Sequence, residues 1–172
     1  KETGISTFFI NHNIDSGEII LQEKINIANN TTAAQLHNIL MKKGGDLLIK
    51  TTELIKNNSV SKIVQQLNNN LIVAPKLTKE LLRIDWNNTA VSIHNLVRGL
   101  SPFLDKNTML KNVAICPSAW FLLEENANTQ KRIKLHQTEV IKSASDDLLH
   151  IKTDNKTYLH IVTKKNAISI LN

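Results

Sequence analysis

Ile14-Asp15-Ser16-Gly17-Glu18-Ile19-Ile20 is the stretch from which the rest of the chain is read. The apolar segment Ile5-Ser6-Thr7-Phe8-Phe9-Ile10 precedes it, and a second extended-looking run, Ile19 to Ile27, follows. Asp-Ser-Gly is turn chemistry, and a β-rich run on each side predicts a hairpin. The same placement suits catalysis, because the end of a strand holds a side chain more firmly than a free loop does. From the spacing alone, both uses of Asp15 stay open. His12 lies close upstream and invites an acid–base pairing with Asp15. Set between Asn11 and Asn13, it reads instead as a solvated loop residue.

Thr3-Gly4-Ile5-Ser6-Thr7-Phe8-Phe9-Ile10 followed by Asp15-Ser16-Gly17-Glu18 resembles the end of a formyltetrahydrofolate-dependent formyltransferase domain. Lys76-Leu77-Thr78-Lys79-Glu80, Arg83-Ile84-Asp85-Trp86 and Arg98-Gly99-Leu100-Ser101-Pro102, in that order, narrow the likeness to the methionyl-tRNA formyltransferases. The resemblance implies an α/β remnant of a Rossmann-like formyltransferase domain followed by a small oligonucleotide-binding-like β-barrel. It places the catalytic-domain part at 1–70, a linker at 71–82 and a tRNA-binding barrel domain at 83–172. It implies formyl transfer from 10-formyltetrahydrofolate to methionyl initiator tRNA in translation initiation, with Asp15 as the catalytic aspartate and Glu18 in support. The family's Asn and His are expected before Lys1, and its last barrel strand after Asn172. The chain therefore reads as an internal piece of a longer enzyme, inactive by itself. No residue is assigned to the folate.

Composition sets the outer bounds. The 172 residues suffice for one ordinary domain or parts of two, and 41% hydrophobic with 21% charged is the balance of a folding chain. Cys116 is the single cysteine, so neither an internal disulfide nor a Cys-rich zinc site is expected, and no metal is assigned. No apolar run approaches a membrane span. A cytoplasmic monomer without membrane attachment is expected. The net charge of +6 is uneven: residues 1–72 carry 7 Lys/Arg against 6 Asp/Glu, which leaves 14 against 9 for 73–172. A +5 second part attracts phosphate backbones, though the same excess also serves mere solubility.

In chain order, residues 5–27 read as two or three short strands joined by the Asp15 loop. Asn29-Asn30-Thr31-Thr32 offers N-caps for a helix that carries Leu36, Ile39, Leu40, Leu47, Leu48, Leu54 and Ile55. Gly44-Gly45 either breaks that helix or lets it approach a sheet closely, at about 1–2 kcal/mol relative to Ala. Residues 57–70 read as connecting structure with a short helix at 61–67, and Leu71 to Pro75 as extended. Asn87-Asn88-Thr89 caps a second helix with Ala90, Ile93, Val97 and Leu100 on one stripe, stopped by Pro102. From Ser118 the period becomes two, with strands expected at 119–123, 131–141, 148–153, 157–162 and 167–171. Such a run of short strands is itself a small-barrel pattern. Phe103 to Pro117 departs from the family's pattern as an insertion, expected to add a strand or cover a barrel edge.

For RNA, Lys76 and Lys79 on the linker and Lys131, Arg132 and Lys134 in the strands are the candidate backbone contacts. Arg98 is a sixth, weighed against a purely electrostatic role at the C-terminal end of its helix. Two other readings remain: a related formyltransferase or hydrolase acting on a nucleotide sugar or formylfolate, and a non-catalytic RNA-binding module.

Overall fold

The computed structural model describes residues 1–66, 74–111, 115–126, 129–143 and 147–171, with Glu125 and Asn126 described by backbone alone. They form two compact units, Lys1–Asn29 with Leu36–Pro75, and Asn30–Gln35 with Lys76–Asn172.

In the first unit, β1 (Glu2–Phe8) and β2 (Ile19–Asn26) pair antiparallel, from Glu2 opposite Asn26 to Thr7 opposite Leu21, with a register shift at Thr7/Phe8. Burial alternates along β1, as the period-two pattern of its sequence demands. The loop between the strands is closed by the Phe9 amide, which donates to the Glu18 carbonyl at 3.0 Å. Gly17 passes so near that a Cβ built on it would lie 1.5 Å from the Phe9 carbonyl oxygen. Only a residue without a side chain fits. Inside the loop the Asn11 carboxamide oxygen accepts from the Asn13 amide at 3.0 Å and the Ser16 hydroxyl at 2.9 Å. Asp15 takes a left-handed backbone, φ 52°, which short polar residues tolerate.

The short helix expected at 61–67 is absent from its described part, 61–66. Ile63 instead exchanges two backbone hydrogen bonds with Ile19, at 2.8 and 3.0 Å, which satisfies more than one lone helical turn would. Leu67, and Leu71 to Val73 of the expected extended stretch, lie outside the described residues.

Helix α1 (Ala33–Lys56) runs through Gly44-Gly45 unbroken. Neither alternative posed by the glycine pair holds. A Cβ on Gly44 would meet only Ile5 Cδ1 at 4.0 Å, and one on Gly45 nothing within 4 Å. Later in the helix, Thr51 shares a 2.8 Å hydrogen bond with Thr7, and Lys43 pairs with Glu23 at 2.7 Å. These contacts hold it to the strands despite the poor local propensity. Its first turn is a capping box. The Thr32 hydroxyl accepts from the Gln35 amide at 3.1 Å, and the Gln35 side chain accepts from the Thr32 amide at 3.0 Å. The same two side chains donate to the Phe103 and Leu104 carbonyls, each at 2.6 Å.

The second unit is built on α2 (Ala90–Gly99), capped by the Thr89 hydroxyl, which accepts from the Ser92 amide at 3.2 Å. Ala90, Ile93, Val97 and Leu100 are buried with Leu82, Ile84, Ala119, Leu135 and Ile168. Two antiparallel sheets supply that cluster. One is the hairpin β3 (Ala119–Asn126) with β4 (Thr129–Leu135); the other has the order β5 (Thr138–Ile141), β8 (Ala167–Ile170), β7 (Leu159–Val162), β6 (Ile151–Thr153). Among the described residues, no ladder joins these sheets into a closed ring. The expected strand 131–141 is two strands in different sheets, divided at His136-Gln137. Leu135 and Thr138 are both buried, which an uninterrupted strand's alternation would forbid at that spacing. The expected strand 148–153 is trimmed at Leu149 by φ 64°, leaving Ile151–Thr153. After it, Asp154 accepts from the backbone amides of Lys156, Thr157 and Tyr158 and from the Thr157 hydroxyl. These donors hold its carboxyl well below the usual carboxylate range, the Thr157 hydroxyl foremost.

Within 103–117, the described residues contain an isolated bridge, Phe103 to Met109, around a turn in which Asp105 accepts from the Asn107 and Thr108 amides. This segment does not supply a sheet strand there. It offers carbonyls to the first turn of α1. Val113 and Ala114 lie outside the described residues.

The two glycine sites make opposite predictions for the intact protein. Gly17→Ala should destabilise by at least the ~1–3 kcal/mol typical of overpacking, because its neighbour is backbone and has nowhere to go. Gly45→Ala should stabilise by about 0.5–1 kcal/mol, since the new methyl meets open space on a helix. Urea midpoints at unchanged m-value measure both; equal shifts would contradict the loop geometry.

Candidate active-site loop and basic face

Asp15 stands at the tip of a loop whose shape is fixed at its base. The Gln65 side chain donates to the Gly17 carbonyl at 2.7 Å and the Asp15 carbonyl at 3.1 Å, tying the loop to the strand-like segment at Ile63. Glu18 pairs with Lys62 at 3.1 Å, and the Lys62 ammonium lies 5.1 Å from the centre of the Phe9 ring. The Asp15 side chain itself is exposed and makes no hydrogen bond or ion pair with a described residue. His12 is exposed too and is not bonded to it. In the same loop Ile10 and Ile14 are 94% and 93% exposed, and no described cation pairs with the Asp15 carboxylate. Such a carboxylate can accept a proton from an amine or orient an imidazole. Among the described residues, no group of three or more His, Cys, Asp or Glu side chains is placed to hold a metal. No helix of the described residues is long and apolar enough to cross a membrane.

The second unit sorts the cations the sequence singles out. Residues Leu82–Ile84 run beside β3: the Trp120 amide donates to the Leu82 carbonyl at 3.0 Å, and the Ile84 amide to the Trp120 carbonyl at 2.8 Å. Arg83 and Trp120 thereby form a parallel bridge and share one side of the hairpin. On β4, Lys134 lies opposite Trp120 and Arg132 opposite Leu122, on the same side. Lys131 lies opposite Leu123, on the other side, with Ile133 and Leu135. Arg132 lies over the indole, its guanidinium carbon 4.2 Å from the ring centre, and Arg83 approaches to 5.8 Å. The indole N–H donates to the Lys79 carbonyl at 3.2 Å. Arg83, Arg132 and Lys134 therefore meet around Trp120, and Lys79 reaches it through its backbone carbonyl. Lys76 is exposed with no contact that places it there. Arg98 is half-buried on α2; its Nε donates to Asn95 at 2.8 Å and an Nη to the Thr31 carbonyl at 2.9 Å. It thus holds the segment before α1 to α2.

Arg83 and Trp120 escape a search for basic runs, because each is a lone residue in an apolar stretch. Only the pairing register shows their neighbours. His94 and His136 escape it likewise. Both line a cleft of about 360 Å³ with Arg98, Thr138 and Glu139. The His94 ring shares a 3.0 Å hydrogen bond with Thr138. Burial, then the Arg98 charge, pushes its pKa down from 6.5. Burial, then Lys134, does the same for His136, whose Nδ1 is buried without a partner among the described residues.

Comparison with known proteins bears on both parts. Residues 76–172 match the formyl transferase C-terminal domain, and residues 1–52 match the family described as formyl transferase. A methionyl-tRNA formyltransferase of Phocaeicola vulgatus is 38% identical over 175 residues, covering 99% of this chain and 50% of its own length. That of Flavobacterium johnsoniae is 34% identical over 170 residues, with the same 99% and 50% coverage. The chain thus spans about half the length of the curated relatives it matches. A sugar 3N-formyl transferase crystallised in the presence of dTDP and 5-N-formyl-THF superposes at TM-score 0.62 and 21% identity, over 99% of this chain and 54% of that one. An N-formyltransferase from Helicobacter canadensis, in complex with folinic acid and dTDP-3-aminofucose, gives 0.61 and 21%, over 99% and 55%. At such identities the likeness is one of fold. It agrees with the formyltransferase-type architecture implied by Asp15-Ser16-Gly17-Glu18 and the three downstream blocks. With the C-terminal-domain match alone taking in more than half of its residues, the chain belongs to the formyl transferase family.

Proposed function

We propose that the protein containing this chain transfers the formyl group of 10-formyltetrahydrofolate to the amino group of methionyl initiator tRNA, in the cytoplasm and as a monomer. In this reading, residues 1–70 carry the end of the catalytic domain, 71–82 the linker, and 83–172 the tRNA-facing, oligonucleotide-binding-like half. The amine nitrogen forms a bond to the formyl carbon, the carbon's bond to N10 of the folate breaks, and the proton lost by the amine is balanced by the one N10 gains. Asp15 accepts the amine proton directly or steadies the imidazolium of a histidine that accepts it. The observation that carries this is the open Asp15 carboxylate on a loop fixed by Gly17 and Gln65. Relatives at 33–38% identity named methionyl-tRNA formyltransferase support the choice of tRNA over a nucleotide sugar.

One carboxylate does not make a complete site. The Asn and His that the family resemblance calls for are not matched in this chain, so the chain alone is expected to be inactive. Arg132 and Lys134 are the proposed backbone contacts best supported by geometry, with Lys76 and Lys79 secondary; Lys131 lies on the other face of β4, and Arg98 is already engaged in the fold.

Asp15→Asn in the full-length protein tests the reading. The amide keeps the shape and suits the turn, yet cannot take a proton. Single-turnover formyl transfer should fall about 10²–10⁴-fold, the range typical of a lost acid–base group, with tRNA affinity nearly unchanged. A rate near wild type would reduce Asp15 to a turn residue. Transfer to an amino-sugar nucleotide in place of methionyl-tRNA would move the protein to the other branch of the family.

A further inference from the structure

We propose that Trp120 is a positioning residue that holds Arg83 and Arg132 together as a clamp for an RNA backbone phosphate. The proposal rests on the tRNA reading above and assigns part of its binding surface.

Two separate parts of the chain converge on the indole, the segment 79–84 and β4. Arg83 comes from the segment beside β3, Arg132 from β4, and the Lys79 carbonyl from the turn before Leu82. The ring's N–H is fixed by that carbonyl at 3.2 Å, and the ring also packs against the buried cluster around α2. It is therefore a rigid plate with one face at the surface. A guanidinium carbon 4.2 Å from the ring centre is in cation–π contact with the face of the plate, which holds the group in place while its N–H groups can still donate. Lys134, directly across from Trp120, adds a point charge.

Surface cations usually sit among carboxylates. Here Arg83, Arg132 and Lys134 have no ion-pair partner among the described residues, and the nearby acids in sequence or register are hydrogen-bonded to other groups. Asp85 accepts from Asn87 and Asn88. Glu124 accepts from Gln130 at 3.0 Å. The Glu80 pKa is lowered first by its own backbone N–H, then by the Thr78 hydroxyl, and further by the Lys79 charge. Two guanidiniums held at one aromatic plate match a tetrahedral oxyanion, which accepts parallel N–H bonds from Arg. With the plate's exposed side under Arg132, the fit is to a phosphate rather than to a stacked base. Such a contact positions the RNA without reading its sequence.

The test uses the full-length protein and initiator tRNA, with affinity measured from about 50 to 300 mM salt. Trp120→Leu should weaken binding several-fold at ~100 mM salt and lower the log–log salt slope by about 1, as for one lost phosphate neutralisation. Trp120→Phe, which keeps a plate, should retain most of both. Arg83→Gln with Arg132→Gln should reproduce the Trp120→Leu slope, and adding Trp120→Leu to that pair should change it no further. The exposed pair Arg132→Gln and Lys131→Gln keeps the test decisive if Trp120→Leu does not fold: the first should lower the slope and the second should not. A folded Trp120→Leu variant with the wild-type slope, or equal slopes for Arg132→Gln and Lys131→Gln, overturns the clamp while leaving tRNA binding intact. Wild-type protein that ignores tRNA but binds an acidic peptide or a nucleotide sugar overturns the clamp and the functional reading together.

Discussion

Ala90, Ile93 and Val97 are out of water along one side of α2, and both sheets of the second unit are fitted to that side. Ala119 reaches it from β3, Leu135 from β4, Ile168 from β8, and Leu82 and Ile84 from the segment that precedes the helix. Burying Ile93 or Val97 contributes about 1.5–3 kcal/mol each by transfer alone. Geometry follows from this contact. With β3 and Leu82–Ile84 both drawn to α2, their backbones lie close enough to bond, and Arg83 is left pointing out beside Trp120. The surface arrangement is the outer side of a packing decision made inside.

The first unit has no comparable anchor. Among its described residues the buried side chains are Ile20, Leu47 and Thr51, none of them fully so, while Met41, Leu48 and Ile49 are exposed. A core that small cannot fix a loop by burial. The Asp15 loop is fixed instead by close approach at Gly17, by hydrogen bonds that the Asn11 side chain accepts and by those that Gln65 donates. Such contacts are directional, so they define the loop sharply while contributing little to global stability. A loop of this kind can hold a carboxylate in place and still be supported by few buried atoms.

How much of this is legible beforehand depends on the range of the signal. The turn at Asp15, the Thr89 cap and the α2 stripe are local patterns, and each is found where the residues point. The Gly44-Gly45 pair misleads because helix propensity is a weak prior against tertiary contacts such as Thr7–Thr51. The division of 131–141 into β4 and β5 shows in the sequence only as a lapse of alternation between Leu135 and Val140, and the burial of both Leu135 and Thr138 reveals it as a change of sheet. At the candidate sites, Asp15 is legible from its motif. Trp120 with Arg83 is not, because the two are far apart in sequence and joined by a single parallel bridge.

The same limit applies to the basic run Lys131-Arg132-Ile133-Lys134, where sequence adjacency and spatial adjacency part. A strand sends successive side chains to opposite faces, so a run of cations on a strand is divided between two environments. Arg132 and Lys134 fall to the Trp120 side, and Lys131 to the side of Phe121 and Leu135. Their charges are nearly equivalent to a distant phosphate, since fields a Debye length away average over a few ångströms. At contact they are not, because a hydrogen bond needs the right face and the right plane. A basic strand can therefore steer RNA with all its cations and grip it with only half of them. Which half is set by the pairing of β4 with β3, and that pairing is in turn set by the burial of Ala119 opposite Leu135 against α2.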